Sequence, residues 1–264
     1  MAMPPLWKVR REIWRVIGKA RFAMMKLRVP KKTIQYHNLK VPLTREGMNS
    51  EMILAMKSEN YEYPEILGLK RALCGGDRVL ELGSGLGIIT ALAGWAVAPD
   101  GKVLSFEANL AMISDTQKFL ADHGISNVEL RHSALVPKAE KGETRDFYLT
   151  RSFASNSLLS NKTTKDDGVI SVPSVQLNDV VAEFKPNVLV CDIEGGELEL
   201  IPALDASGLR AVLMELHPDR LSGAQLVEID AALAAHGLHR NHSSPIRGAV
   251  ISYERNTGKT RPTK

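Results

Sequence analysis

The stretch VLELGSGLGIIT, residues 79–90, decides how this chain is read. A short apolar run carries Glu81 near its end, and glycines follow at positions 83, 85 and 87 before an apolar pattern of helical spacing begins. Glycine admits positive φ and lets the backbone approach a ligand that side chains would exclude, so the stretch predicts a strand, a tight loop and a helix. A dinucleotide loop reads G-x-G-x-x-G, with the pyrophosphate at the helix N-terminus. Position 88 is Ile, so the third glycine of that pattern is missing, and a dehydrogenase is the least favoured reading.

Outward from the loop, apolar runs at 78–82, 102–107, 127–131, 187–193, 210–216 and 248–254 read as strands. Helical patterns lie between them, near 62–73, 86–97, 110–122 and 177–184. Another helix begins at Glu197, and one is opened by a capping box of Ser222 and Gln225 and ended by Gly237. This alternation implies an α/β fold, a mostly parallel sheet with helices on both faces. Such sheets bind ligands beyond the C-terminal ends of their strands. Those ends carry Glu81, Glu107, His132, Asp192 and Glu215. The stretch 135–176 is long for a connection, which suggests a lid or binding loop. FYLTRSFASNSL and GVISVPSV within it read as a β-hairpin, with Arg151, Ser155, Asn156 and Ser157 facing either an acceptor or solvent.

The carboxylate of Glu81 at the strand end suits a ligand without phosphates that carries positive charge. S-adenosylmethionine, with an ammonium and a sulfonium, is such a ligand. Glu107, 20 positions after Gly87 at the end of the next strand, is placed to accept hydrogen bonds from both ribose hydroxyls.

The composition narrows the setting. The 264-residue chain has 44% apolar and 24% charged residues, ordinary for a globular protein. No apolar run reaches the roughly 18–20 residues of a membrane-spanning helix. The N-terminus lacks a signal peptide's apolar block and cleavage site. Two cysteines, Cys74 and Cys191, lie far apart in apolar contexts, which fits a reducing cytoplasm and argues against a disulfide framework. Residues 1–32 carry +9 and residues 255–264 carry +4, leaving −9 for 33–254 out of the overall +4. The body is acidic, so no nucleic-acid partner is expected from the charge.

Residues 5–29 read as a basic amphipathic helix. It would pack on the body or on a second subunit, as in a homodimer, or lie peripherally on the anionic inner membrane face. The expected organisation is a helical extension over 1–45, a catalytic domain over 46–255 and a loose basic tail over 256–264.

Several of these segments together resemble the FkbM family of S-adenosylmethionine-dependent methyltransferases: SFEANLAMI, NVELRHSAL, VPSVQLNDVV, CDIEGGELELI with its Asp-x-Glu-Gly-x-Glu block, and LMELHP. The likeness spans about residues 60–255, and residues 1–45 lie outside it. This chain has Glu81 where the family commonly has Asp, Ser84-Gly85 where it has Ala-Asn, and Asn178 where it often has Asp. The resemblance implies the class I methyltransferase Rossmann-like fold, seven strands with the last antiparallel. It also implies an O-methylation (EC 2.1.1 class) of a hydroxyl on a sugar, glycolipid or secondary metabolite. By position, Glu81, Gly83, Ser84, Gly85 and Gly87 would surround the methionine part of the cofactor and Glu107 would hold the ribose. Ala108 and Asn109 would lie beside the adenosine, Ser133 and Ala134 would flank the adenine, and Asp192 would border the methyl.

A hydroxyl is a poor nucleophile and benefits from a general base. Asp192 and Glu194 after the fourth main strand, and Glu215 and His217 after the fifth, are the candidates. These groups would also accept Mg²⁺, but no spacing demands a metal. Transfer to nitrogen or to a protein, and a cofactor-binding protein that catalyses nothing, are the alternative readings.

Overall fold

In a computed structural model of the chain, residues 32–45, 48–139, 142–150, 166–193, 195–216, 222–241 and 250–255 are described. The basic helix expected at 5–29 and the basic tail lie outside them. The chain divides into two compact units, residues 1–61 and 62–264.

In the first unit, β1 (Thr33–Tyr36) and β2 (Leu39–Pro42) form an antiparallel hairpin. His37 and Asn38 turn it with φ of 45° and 67°, the left-handed pair a two-residue hairpin loop requires. Helix α1 (Ser50–Lys57) is capped by Asn49, whose side chain accepts from the backbone N–H groups of Glu51 and Met52. Tyr36, Leu39, Val41, Met52, Ile53 and Met56 are buried.

The second unit begins with α2 (Tyr63–Ala72). Strand β3 (Arg78–Leu82) leads through the glycine loop into α3 (Ile88–Val97), and β4 (Lys102–Glu107) leads into α4 (Leu110–Asp122). Then come β5 (Val128–His132), β6 (Ala134–Val136), β7 (Thr144–Thr150) and β8 (Asp166–Gln176). Helix α5 (Leu177–Phe184), β9 (Val188–Cys191), the short α6 (Glu197–Leu200) and β10 (Ala211–Glu215) follow. Helix α7 (Gly223–Ala235), β11 (Leu238–Arg240) and β12 (Val250–Arg255) complete it. The capping box of Ser222 and Gln225 is formed.

Among the described residues, seven strands make the main sheet in the order β11-β12-β10-β9-β3-β4-β5. Strands β10, β9, β3, β4 and β5 run parallel, and β12 is antiparallel to β10 and β11. The succession of strands reverses direction between β3 and β9, and such a switch point leaves a crevice at the carboxyl ends.

Residues alternate between faces. One face presents Leu80, Leu82, Leu104, Phe106, Leu189, Cys191, Val212 and Met214 to Leu177 and Val180 of α5 and to Ile229 and Leu233 of α7. The other is covered by α2, where a Cβ at Gly68 would lie 2.4 Å from Leu213, and by α3, whose Thr90 reaches Glu81.

The expected hairpin in 135–176 is present as β7 paired antiparallel with β8. Strand β6 adds parallel to β8, giving a separate three-stranded sheet over a small core of Ala134, Phe147 and Val172. Arg151, Ser155, Asn156 and Ser157 lie outside the described residues.

Candidate functional site

The glycine loop is pinned to the strand ends on both sides. Gly83 N–H donates to the Phe106 carbonyl (3.0 Å), Asp192 N–H to the Leu82 carbonyl (3.0 Å), and Gly87 N–H to the Ser84 carbonyl (2.7 Å). Gly83, Gly85 and Gly87 have φ of 87°, 50° and 70°. At Gly83 conformation and space both exclude a side chain, since a Cβ would sit 2.0 Å from the Asp192 carbonyl oxygen.

Glu107 closes the loop from the neighbouring strand. Its Oε2 accepts from Gly85 N–H (2.9 Å) and the Ser84 hydroxyl (3.2 Å), and its Oε1 from Asn109 N–H (2.8 Å). Burial pushes its pKa up, against the pull of those donors. Asn109 caps α4, its side chain accepting from Ala111 N–H. Ala108 packs on the small sheet's core, and its carbonyl lies 3.0 Å from His132 Nε2. Ser133 donates to the His132 carbonyl (2.6 Å), and Ala134 is buried in β6.

Glu81 is 1% exposed. Its Oε2 accepts from Thr90 Oγ1 (2.7 Å) and from the Ser105 hydroxyl, while its Oε1 is buried without a hydrogen-bond partner. Burial raises its pKa to about 7, opposed by the two hydroxyls and reinforced by Glu107. Glu81 is thus part of the floor beneath the loop.

Register brings the remaining acids into one row. Glu107 pairs with His132. One residue past Leu82–Cys191 and Cys191–Met214, the same line runs through Gly83, Asp192 and Glu215. Asp192 and Glu215 are both half-buried at adjacent strand ends. Glu194 and His217, the other two candidates, lie outside the described residues.

The opposite edge of the sheet is built differently. There Asp77 accepts from Arg210, from Asn187 Nδ2 (3.0 Å) and from Cys74 N–H (2.6 Å), so charge is paired and spent on structure. Two residues of the sequence motifs also turn out to hold the frame. Glu197 is fully buried and accepts from Ile193 N–H (3.2 Å), closing the turn after β9. Asn178 donates to the Ala203 carbonyl (2.8 Å) and accepts from Asp205 N–H (2.8 Å), so its departure from Asp serves a backbone clamp. Glu65 was not among the sequence candidates, whereas His132 was named there only as a strand-end residue. Among the described residues no group of three or more His, Cys, Asp or Glu is arranged to hold a metal.

The family model described as Methyltransferase FkbM domain matches residues 87–239, more than half of the chain. The model described as Protein-L-isoaspartate(D-aspartate) O-methyltransferase matches residues 29–134. Comparison with curated proteins yields no match. Among solved structures, the chain is similar to a precorrin-6y C5,15-methyltransferase from Geobacter metallireducens GS-15 at 14% identity and TM-score 0.43, over 74% of this chain and 89% of that one. It is also similar to a ribosomal protein L11 methylase from Lactobacillus delbrueckii subsp. bulgaricus at 18% identity and TM-score 0.42, covering 78% and 77%. A fibrillarin from Aeropyrum pernix, in complex with natively bound S-adenosyl-L-methionine, matches at 15% identity and TM-score 0.39, covering 68% and 66%.

Proposed function

We propose that this chain, which belongs to the FkbM methyltransferase family and so works with S-adenosylmethionine, methylates the hydroxyl oxygen of a sugar, glycolipid or secondary metabolite. The strand order, with antiparallel β12 between β10 and β11, is the class I methyltransferase arrangement. The charge of the site fits this cofactor. Glu81 and Glu107 are both pushed up by burial, and no cation stands among the groups that shift them. A cationic ligand relieves that cost, whereas a pyrophosphate would add to it.

In this reading Gly83, Ser84, Gly85 and Gly87, floored by Glu81, border the methionine part. Glu107 takes the ribose. A carboxylate offers about four acceptor positions, and release of the Ser84 hydroxyl, held at 3.2 Å, frees one of them for a ribose hydroxyl. Ala108 and Asn109 lie beside the adenosine, with Ser133 and Ala134 at the adenine. When bound, S-adenosylmethionine supplies a methyl carbon already activated by its sulfonium. The protein's part is to hold the acceptor in line and to remove its proton.

The observation that carries the choice of a hydroxyl is the placement of Asp192 and Glu215. They stand at adjacent strand ends in line with the glycine loop, where an acid can act as base. The test is transfer of isotope-labelled methyl from S-adenosylmethionine into a cell extract, with fragmentation of the labelled product by mass spectrometry. Label on oxygen in the small-molecule or lipid fraction supports the reading. Label on nitrogen, or only in protein or nucleic acid, overturns it.

A further inference from the structure

Glu65 stands in the first turn of α2, where an acid ordinarily meets the helix dipole in water. Here it is 8% exposed. Packing dictates its surroundings. The α2 backbone rests on β10 at Gly68, where even a Cβ would meet Leu213 at 2.4 Å. One turn back along that helix face is Glu65. Two residues on along the same strand face is Glu215. The two carboxyls therefore meet at the carboxyl edge of the sheet, within hydrogen-bonding reach of each other.

Two ionised carboxylates cannot hydrogen-bond; one of them must hold a proton. Burial, then Glu215, and more weakly Glu62, raise the Glu65 pKa to about 8. The other charged groups on the packed elements are distant. Lys70 and Arg71 lie at the far end of α2, and Glu254 and Arg255 lie at the end of β12 opposite Ala211. Helix α3 carries no titratable side chain. The Oε2 of Glu65 is buried without a hydrogen-bond partner, an arrangement that persists only where another requirement outweighs its cost.

We propose that Glu65 and Glu215 share one proton, and that Glu65 is a positioning residue which, by donating to one oxygen of Glu215, leaves the other aimed at the acceptor as the base. As transfer proceeds, the acceptor O–H bond breaks and its proton passes to that free oxygen. The acceptor oxygen bonds to the methyl carbon, and the carbon–sulfur electron pair leaves with the sulfur. This rests on the reading that the acceptor is a hydroxyl.

Infrared titration of the full-length protein tests the pair without any acceptor. At neutral pH the wild type should show the carbonyl stretch of a protonated carboxylic acid that disappears in Glu65→Gln. In Glu215→Gln the same band should titrate at lower pH. Glu81 supplies a second band, separable by its loss in Glu81→Gln. No band assignable to Glu65 at neutral pH, or one that Glu215→Gln leaves unmoved, overturns the pair even if methyl transfer is found. With an acceptor in hand, Glu65→Ala should lower kcat by at least about tenfold with little change in KM. Glu65→Gln, a permanently neutral donor, should restore most of that loss and flatten the alkaline limb of the pH profile. Equal losses in both variants would mean that Glu65 acts only through packing. A present infrared pair in a protein that transfers no methyl to any hydroxyl would sink the hydroxyl reading while leaving the pair intact.

Discussion

Replacing Gly83 with Ala isolates the close approach on which the cofactor loop depends. Two costs are expected. The first is conformational: φ is 87°, and an L side chain in the left-handed region costs roughly 1–2 kcal/mol. The second is steric: the new Cβ would lie 2.0 Å from the Asp192 carbonyl oxygen, which is backbone and cannot rotate away. The loop must lift, weakening the bonds from Gly83 N–H to Phe106 and from Asp192 N–H to Leu82, each worth about 0.5–1.5 kcal/mol. Gly76→Ala is the control. Its φ is 86°, yet nothing lies within 4 Å of its Cβ. Urea unfolding at unchanged m-value should therefore show about 1–2 kcal/mol for Gly76→Ala and about 2–5 kcal/mol for Gly83→Ala. Calorimetry should show weaker S-adenosylhomocysteine binding only in the second. Equal losses would refute the claim that the loop is seated against β9.

Glu215→Gln should slow methyl transfer to a hydroxyl by about 10²-fold or more; a change of only a few-fold in both Glu215→Gln and Asp192→Asn, measured as kcat at saturating acceptor, would point to a neutral amine instead. Glu81→Gln should change the pH dependence of stability. The Glu81 pKa is raised from 4.5 to about 7 on folding, so its contribution is fully present below 4.5 and is lost as pH rises through about 7. Between pH 4.5 and neutrality the wild type should lose about 3 kcal/mol relative to Glu81→Gln, and parallel stability curves would show that the site is not desolvated. If residues 5–29 lie on an anionic membrane surface rather than pack on the body or a second subunit, a chain lacking residues 1–32 should bind S-adenosylhomocysteine normally but fail to sediment with anionic vesicles, since each basic residue near such a surface contributes on the order of 1 kcal/mol. Indifference of the full-length chain to vesicles at low salt would remove the membrane reading of residues 5–29.

The main sheet was legible because its signals are local. The periodic runs that become β3, β4, β9 and β10, the capping box at Ser222 and Gln225, and the terminating glycines each lie within a few residues of what they determine. Strands β6 and β11, three residues each, are too short to show a period and exist through their partners β8 and β12. The hairpin of β1 and β2 turns on His37 and Asn38, a pair without the glycine that usually announces such a turn.

At the site, residue types were readable and depth was not. Glu81 looks like a strand-end acid in one dimension. Its burial depends on Ser105 on the next strand and Thr90 on the following helix. Glu65 gave no signal because Glu215, which makes it unusual, lies at the end of a strand formed much later in the chain. Asn178 could not be interpreted without Ala203 and Asp205, which only the fold brings to it.

Titration of the folded protein with S-adenosylhomocysteine in a calorimeter, repeated on Glu107→Gln, tests most directly whether the glycine loop and Glu107 hold the cofactor. Saturable binding near one site per chain is expected, weakened about 10- to 100-fold in the variant by loss of the charged acceptor, with no binding of NADH. Absence of binding at millimolar ligand, or equal affinity in Glu107→Gln, would contradict it.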